Sequence, residues 1–302
     1  MNRLKRPGKG LGAGSLSFPV WAYVLFFIIV PFGLIAWYSF GYKPDLFSAH
    51  ANDRLSLGRY REVADATFMR TFWNTLQIAG IGTALCLLIG LPFTYWMAVK
   101  VDARWRGLLL ALVLVPFWTN FLVRTLGWQI ILSPQGFLSH LLQNLHLTDG
   151  PLSILYTRGA VQLGVVYNYL PLMILPLYVA LERSDASLRE ASRDLGAGRL
   201  RTFVDVTLPN AMPGIASGCL LVFIPLMGDY ITASVLGGAR GNMVGQLVAS
   251  QFNTAQNWAL GSAMAIVLMG FILATVLLAF GLALSIRFAV RMSRRIDLGA
   301  AV

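Results

Sequence analysis

The sequence predicts an all-α integral membrane protein with six transmembrane helices, and three observations carry that expectation. Only 12% of the 302 residues are charged and 57% are apolar, against about 25% charged in an average soluble domain. The apolar residues gather into six runs, each near the roughly 20 residues that cross a hydrocarbon core. Lysine and arginine are then segregated between alternate connections rather than spread evenly.

Residues 1–17 read as a basic tail, with Arg3, Lys5, Arg6 and Lys9 among glycines. Phe18–Tyr38 is the first span, with a bend expected at Pro31. It is too long for the apolar part of a signal peptide, and no small-residue cleavage site follows it. Residues 39–70 mix both charge signs and read as a hydrophilic loop with a short helix near 57–66. Thr71–Val99 is the second span. Lys100, Arg104 and Arg106 mark a short basic turn. The third span, Gly107–Leu132, carries Pro116, Trp118, Asn120 and Arg124, so its second half is expected to leave the membrane early. Residues 133–157 form a loop with a surface helix over 137–145.

The fourth span, Ala160–Leu181, contains Tyr167, Asn168, Tyr169, Pro171 and Pro176. Two prolines and an asparagine predict a bent helix against protein or water rather than lipid. A polar loop, 182–210, follows. The fifth span, Ala211–Val235, is interrupted by Asp229. Residues 236–260 are a Gly- and Gln-rich loop, Leu260–Ile286 is the sixth span, and 291–302 is a closing tail. A single transmembrane domain, 18–290, is thus expected between two tails.

Sixteen of the 24 basic residues lie in the N-terminal tail, the 100–106 turn, the 182–210 loop and the C-terminal segment. The positive-inside rule therefore places both termini and the central loop in the cytoplasm. The net charge of +11 is on this reading a topology signal. No stripe of bases interleaved with aromatics suggests nucleic acid. Cys86 and Cys219 lie inside apolar runs and read as packing residues.

Catalysis has little support. There is no phosphate-binding Gly-rich loop with its lysine, no zinc-binding His-Glu-x-x-His and no nucleophile elbow. The chain is expected to bind no cofactor itself and to draw any driving energy from an ion gradient or a partner. Ionisable groups at membrane depth are costly and mark pathways. Asp229, followed by Tyr230, is such a group. A carboxylate beside an aromatic suits an amine cation, while an Asp at a helix end, pairing with Arg124 or facing water, is the competing reading. Trp118, Asn120, Tyr167, Asn168 and Tyr169 are further lining candidates.

The 182–210 loop is the sharpest local signal. Ser187 with Glu190 three residues on reads as a capping box, with Leu188, Ala191, Ser192 and Leu195 on one helical face. Gly196 and Gly198 end that helix. A second short helix is expected from Arg199 to about Val206, stopped by Pro209 and Pro213.

Glu190-Ala191-Ser192, three residues, Gly196, nine residues, then Val206-Thr207-Leu208-Pro209 resembles the EAA loop of permease subunits of binding-protein-dependent ABC importers. The family pattern has Ala where Ser192 stands and Ile where Val206 stands. The stretches Val115–Thr125, Tyr167–Pro171 and Gly228–Thr232 with Leu236-Gly237-Gly238 resemble the spermidine/putrescine branch. The resemblance implies a type I ABC importer permease fold in the bacterial inner membrane. It implies a second permease in a heterodimer, a cytoplasmic ATPase dimer that holds ATP and Mg, and a periplasmic solute-binding protein. Glu190, Ala191, Ser192, Gly196, Phe203, Val206, Leu208 and Pro209 would contact the ATPase. An opine, amino-acid-like or organophosphonate importer is the alternative within this architecture. An ion-coupled secondary transporter would need midplane coupling carboxylates or an inverted repeat, and neither stands out.

Overall fold

The computed structural model describes residues 13–45 and 48–299. The basic stretch from Arg3 to Lys9 lies outside the described residues. Two compact units divide the chain. One takes in residues up to Ala64 with Ser250–Met269, the other Asp65–Ala249 with the residues from Gly270 onward.

In the first unit, helix α1 (Ala13–Ser39) passes through Pro31 without ending. Its residues from Phe18 to Leu34 are all exposed. Helix α2 is Gly58–Val63, shorter than the segment expected there. The connection between them is tied down locally. Tyr42 and Ala51 exchange backbone hydrogen bonds, and the His50 ring stacks on Trp258 with centroids 6.1 Å apart.

The second unit is built on α3 (Ala66–Lys100), α7 (Arg158–Glu182) and α9 (Arg199–Met227). Asp65 starts α3 by accepting the Thr67 N–H, which satisfies one of the unpaired donors at a helix start. Met97 and Ala98 of α3, Ile174, Tyr178 and Leu181 of α7, and Ala211 of α9 form one buried cluster. The α7–α9 crossing is close because glycines occupy it. A Cβ on Gly214 would sit 2.5 Å from the Ala180 Cβ, and one on Gly218 would sit 2.8 Å from the Met173 sulfur. Four residues apart on one helix face, they form a small-xxx-small seam that lets backbones approach.

Between these helices lie α4 (Ala103–Trp118), α5 (Phe121–Leu132), α6 (Phe137–Asn144) and α8 (Ala186–Asp194). The expected third span is not one helix. It breaks at Thr119 and Asn120, and the two halves meet at 87°. Thr119 Oγ1 donates to the Pro116 carbonyl, and Asn120 caps the new helix by accepting the Leu122 N–H. The polar residues that marked this span's second half therefore end one helix and start another. Among the described residues, five helices are long and apolar enough to cross a membrane, or six with the bent pair counted as one.

The fifth span also differs from expectation. Pro209 does not stop a short helix. α9 runs unbroken from Arg199 to Met227, with a π-helical turn over Phe203–Thr207. The Leu208 N–H reaches back five residues to the Phe203 carbonyl, and the wider turn absorbs Pro209, which has no N–H to satisfy. After a break at Gly228–Tyr230 the chain turns helical again, with a second π turn over Ala233–Gly237. Helix α10 is Val244–Asn253. Helix α11, Trp258–Gly299, continues past the expected end at Ile286.

Candidate functional site

The 182–210 loop joins α7 to α9 and presents α8 as a short polar knob. Its start is not the expected Ser187. Asp185 accepts the Ser187 N–H at 2.9 Å, so the helix begins two residues earlier. Both residues are good caps, and Asp185 takes the role because it sits at the first turn out of α7. That hydrogen bond, chiefly from the backbone, holds the Asp185 carboxyl below its usual range.

The helix end is as expected at Gly196, which adopts φ +84°. Its N–H donates to the Arg193 carbonyl, and the Ala197 N–H donates to the Ser192 carbonyl. These two bonds are a Schellman closure, and the left-handed residue it needs is one that only glycine enters without strain. Ser192 also hydrogen-bonds the Thr202 hydroxyl at 3.2 Å, fastening α8 to the start of α9.

Leu188, Ala191, Ser192 and Leu195, predicted to share a face, line one groove of about 410 Å³ with Val206. Glu190 is exposed. Leu195 is 89% exposed and Leu200 77% exposed, unusual for leucines in a charge-rich connection. Phe203 instead turns inward, edge-on to Tyr95 of α3 with centroids 5.2 Å apart. Leu208 is half-buried and Pro209 exposed. The knob thus stands on Phe203 and Thr202 and offers Leu188, Leu195 and Leu200 outward.

The second cluster surrounds Asp229, which is 6% exposed. Its Oδ1 accepts the Thr232 N–H at 3.0 Å, capping the helical turn after the break. Its Oδ2 has no hydrogen-bond partner, and the Tyr169 hydroxyl lies beside the carboxylate. Asn168, next in sequence to Tyr169 and buried, donates to the Thr125 hydroxyl at 3.1 Å. The Tyr169 ring meets Phe121 edge-on, centroids 5.9 Å apart. Arg124 lies over the faces of Phe117 and Phe121, 5.4 and 5.6 Å from their centroids, and forms no ion pair with Asp229.

Asp229, Asn168 and Tyr169 are therefore brought together, joined by Thr125, Thr232 and Phe121, which sequence reasoning placed in family-like stretches but did not name as lining residues. The signal for those three was their adjacency to residues already chosen. Tyr167 stacks edge-on against Trp128. Trp118 is 81% exposed and Tyr230 48% exposed. Asn120 is spent as the cap of α5.

Residues 90–296 match the family model described as "Binding-protein-dependent transport system inner membrane component". The chain is 39% identical over 279 residues to "Spermidine/putrescine transport system permease protein PotB" of Haemophilus influenzae, across 92% of this chain and 94% of the relative. Among solved structures, a bacterial ABC transporter involved in the import of the acidic polysaccharide alginate matches with a TM-score of 0.68. The identity is 15%, over 88% of this chain and 95% of that one. A bacterial alginate ABC transporter in complex with alginate pentasaccharide-bound periplasmic protein matches at 0.67 and 15%, over 87% and 93%.

Proposed function

Because the chain belongs to the family of binding-protein-dependent transport system inner membrane components, we propose that it is the permease subunit of an ATP-driven importer of spermidine- or putrescine-like polyamines. Similarity to a spermidine/putrescine permease along nearly the whole chain carries the substrate class. The protein is a multi-pass component of the inner membrane. Both termini and the 182–210 loop face the cytoplasm, where the basic residues gather.

A second permease completes the pathway, and membrane lipid surrounds the pair. Each subunit seats its knob on one subunit of an ATPase dimer, which holds ATP and Mg and performs the hydrolysis. A periplasmic binding protein delivers the solute. The knob has features suited to this task. Asp185 fixes its start, Gly196 its end, and Ser192 with Thr202 its angle to α9, while exposed leucines give it a surface that a partner can cover.

For the solute, the Asp229 carboxylate is the fitting contact. One oxygen is spent on the backbone and the other is unpartnered, with aromatic faces nearby for an ammonium group.

ATPase activity of the complete complex, with candidate solutes loaded on the binding protein, tests the reading. Putrescine or spermidine should raise hydrolysis several-fold. Stimulation only by an opine, amino acid or phosphonate would keep the importer and remove the polyamine. Failure to assemble with any ATPase subunit would remove the coupling role of the loop.

A further inference from the structure

Eight basic residues lie outside the four segments assigned to the cytoplasm. Three of them converge although their sequence positions are far apart. Arg70 from the first turns of α3, Arg158 from the start of α7 and Arg240 from the turn after the fifth span line one groove of about 530 Å³. Arg158 Nε donates to the Arg240 carbonyl at 3.4 Å, and its Nη1 donates to Gln77 Oε1 at 3.3 Å. The first bond ties two of the arginines together, and the second fixes Arg158 to α3. No carboxylate lines the groove, and none of the three arginines has an ion-pair partner among the described residues.

Three like charges gathered without a counter-charge repel one another, so the arrangement is stabilised by an anion. The first turn of α7 adds the positive end of its helix dipole. The groove lies at the opposite end of α7 from the 182–210 knob, since Arg158 opens that helix and Glu182 closes it. Its lining contains no large apolar side chain, so it offers nothing for a lipid acyl chain to lie against. It is built for a polar, soluble, negatively charged partner.

We propose that this arginine groove receives a carboxylate-bearing surface segment of the soluble solute-binding protein. The assignment rests on the importer reading above. It also explains how docking could reach the pathway. Arg240 sits three residues beyond the π turn that ends at Gly237, and Asn242 accepts a hydrogen bond from Asn74 of α3 through its carbonyl. Next in line, the Val244 N–H donates to Thr75 at 2.8 Å. A partner held by Arg240 therefore pulls on backbone continuous with the Asp229 turn.

The test uses the complete transporter in nanodiscs, with Arg70→Gln, Arg158→Gln and the double change Arg158→Gln/Arg240→Gln. The Arg70 side chain makes no hydrogen bond among the described residues, so its replacement should leave the fold alone. Affinity for the loaded binding protein should fall roughly threefold to tenfold per variant at low salt, and the gap should close as ionic strength rises. Assembly and basal ATP hydrolysis should be unchanged. Wild-type affinity in all three variants would overturn the groove assignment while leaving the importer intact. So would normal protein binding with a lost response to anionic phospholipid. A wild-type complex that hydrolyses ATP yet responds to no binding protein would overturn the importer reading, and this proposal with it.

Discussion

At Asp229 two readings of one side chain turn out to be compatible. The carboxylate caps a helical turn with Oδ1 and leaves Oδ2 unpartnered beside Tyr169. The two roles separate by substitution. Asn keeps an acceptor for the Thr232 N–H and removes the charge, whereas Ala removes both. Asp229→Asn should raise the KM for a polyamine about tenfold or more with little loss of thermal stability. Asp229→Ala should add a stability loss of about 1 kcal/mol. Uptake kinetics beside melting curves would check both, and unchanged KM in Asp229→Asn would reject the cation role. Asp229, Asn168 and Tyr169 were legible because ionisable and polar residues stand out in apolar runs. Thr125 and Thr232 were not, because a threonine in a membrane helix usually bonds its own backbone, as Thr75, Thr83 and Thr94 do here.

Among the elements, α8 was the most legible, since the spacing from Glu190 to Pro209 fixes its length and its terminal glycine. Its exact start was not, because Asp185 and Ser187 are both competent caps and only geometry chooses between them. The Schellman closure makes a sharp prediction. Gly196 is open on the side where a Cβ would project, so Gly196→Ala meets no clash and pays only for φ +84°. That cost is about 1 kcal/mol, enough to loosen the knob without unfolding the membrane core. Solute-stimulated ATP hydrolysis should fall while the chain still inserts and assembles. Full coupling in Gly196→Ala would mean the loop tolerates a different end. The α7–α9 seam at Gly214 and Gly218 escaped the sequence reading. A small residue in an apolar run carries no periodic signal, and its meaning appears only when a second helix lies 2.5 Å from the missing Cβ.

For the chain as a whole, hydropathy located the spans, because it is a sum over many residues, and the distribution of charge assigns their sides by the same kind of sum. What such sums cannot register is a break of two residues. The bend at Thr119 and Asn120 and the passage of α9 through Pro209 depend on a few local hydrogen bonds. The convergence of Arg70, Arg158 and Arg240 is likewise a tertiary event between residues up to 170 positions apart. The assigned sidedness has a direct check. In a chain with Cys86 and Cys219 replaced by Ala, a cysteine at Leu195 should react with impermeant maleimide only from the cytoplasmic face. One at Arg240 should react only from the outside. The reverse pattern would invert the topology and exchange the faces assigned to knob and groove.

The π turn over Phe203–Thr207 has an angular consequence. Each residue of an α-helix turns the next by about 100°, so one residue more or fewer between Gly196 and the proline would swing the whole knob around the α9 axis. The wide turn takes up residues at a different twist from the helix on either side. Azimuth is therefore set by the count of residues in this interval and only weakly by their chemistry. The interval works as a protractor: it fixes the compass bearing on which α8 leaves the helical core.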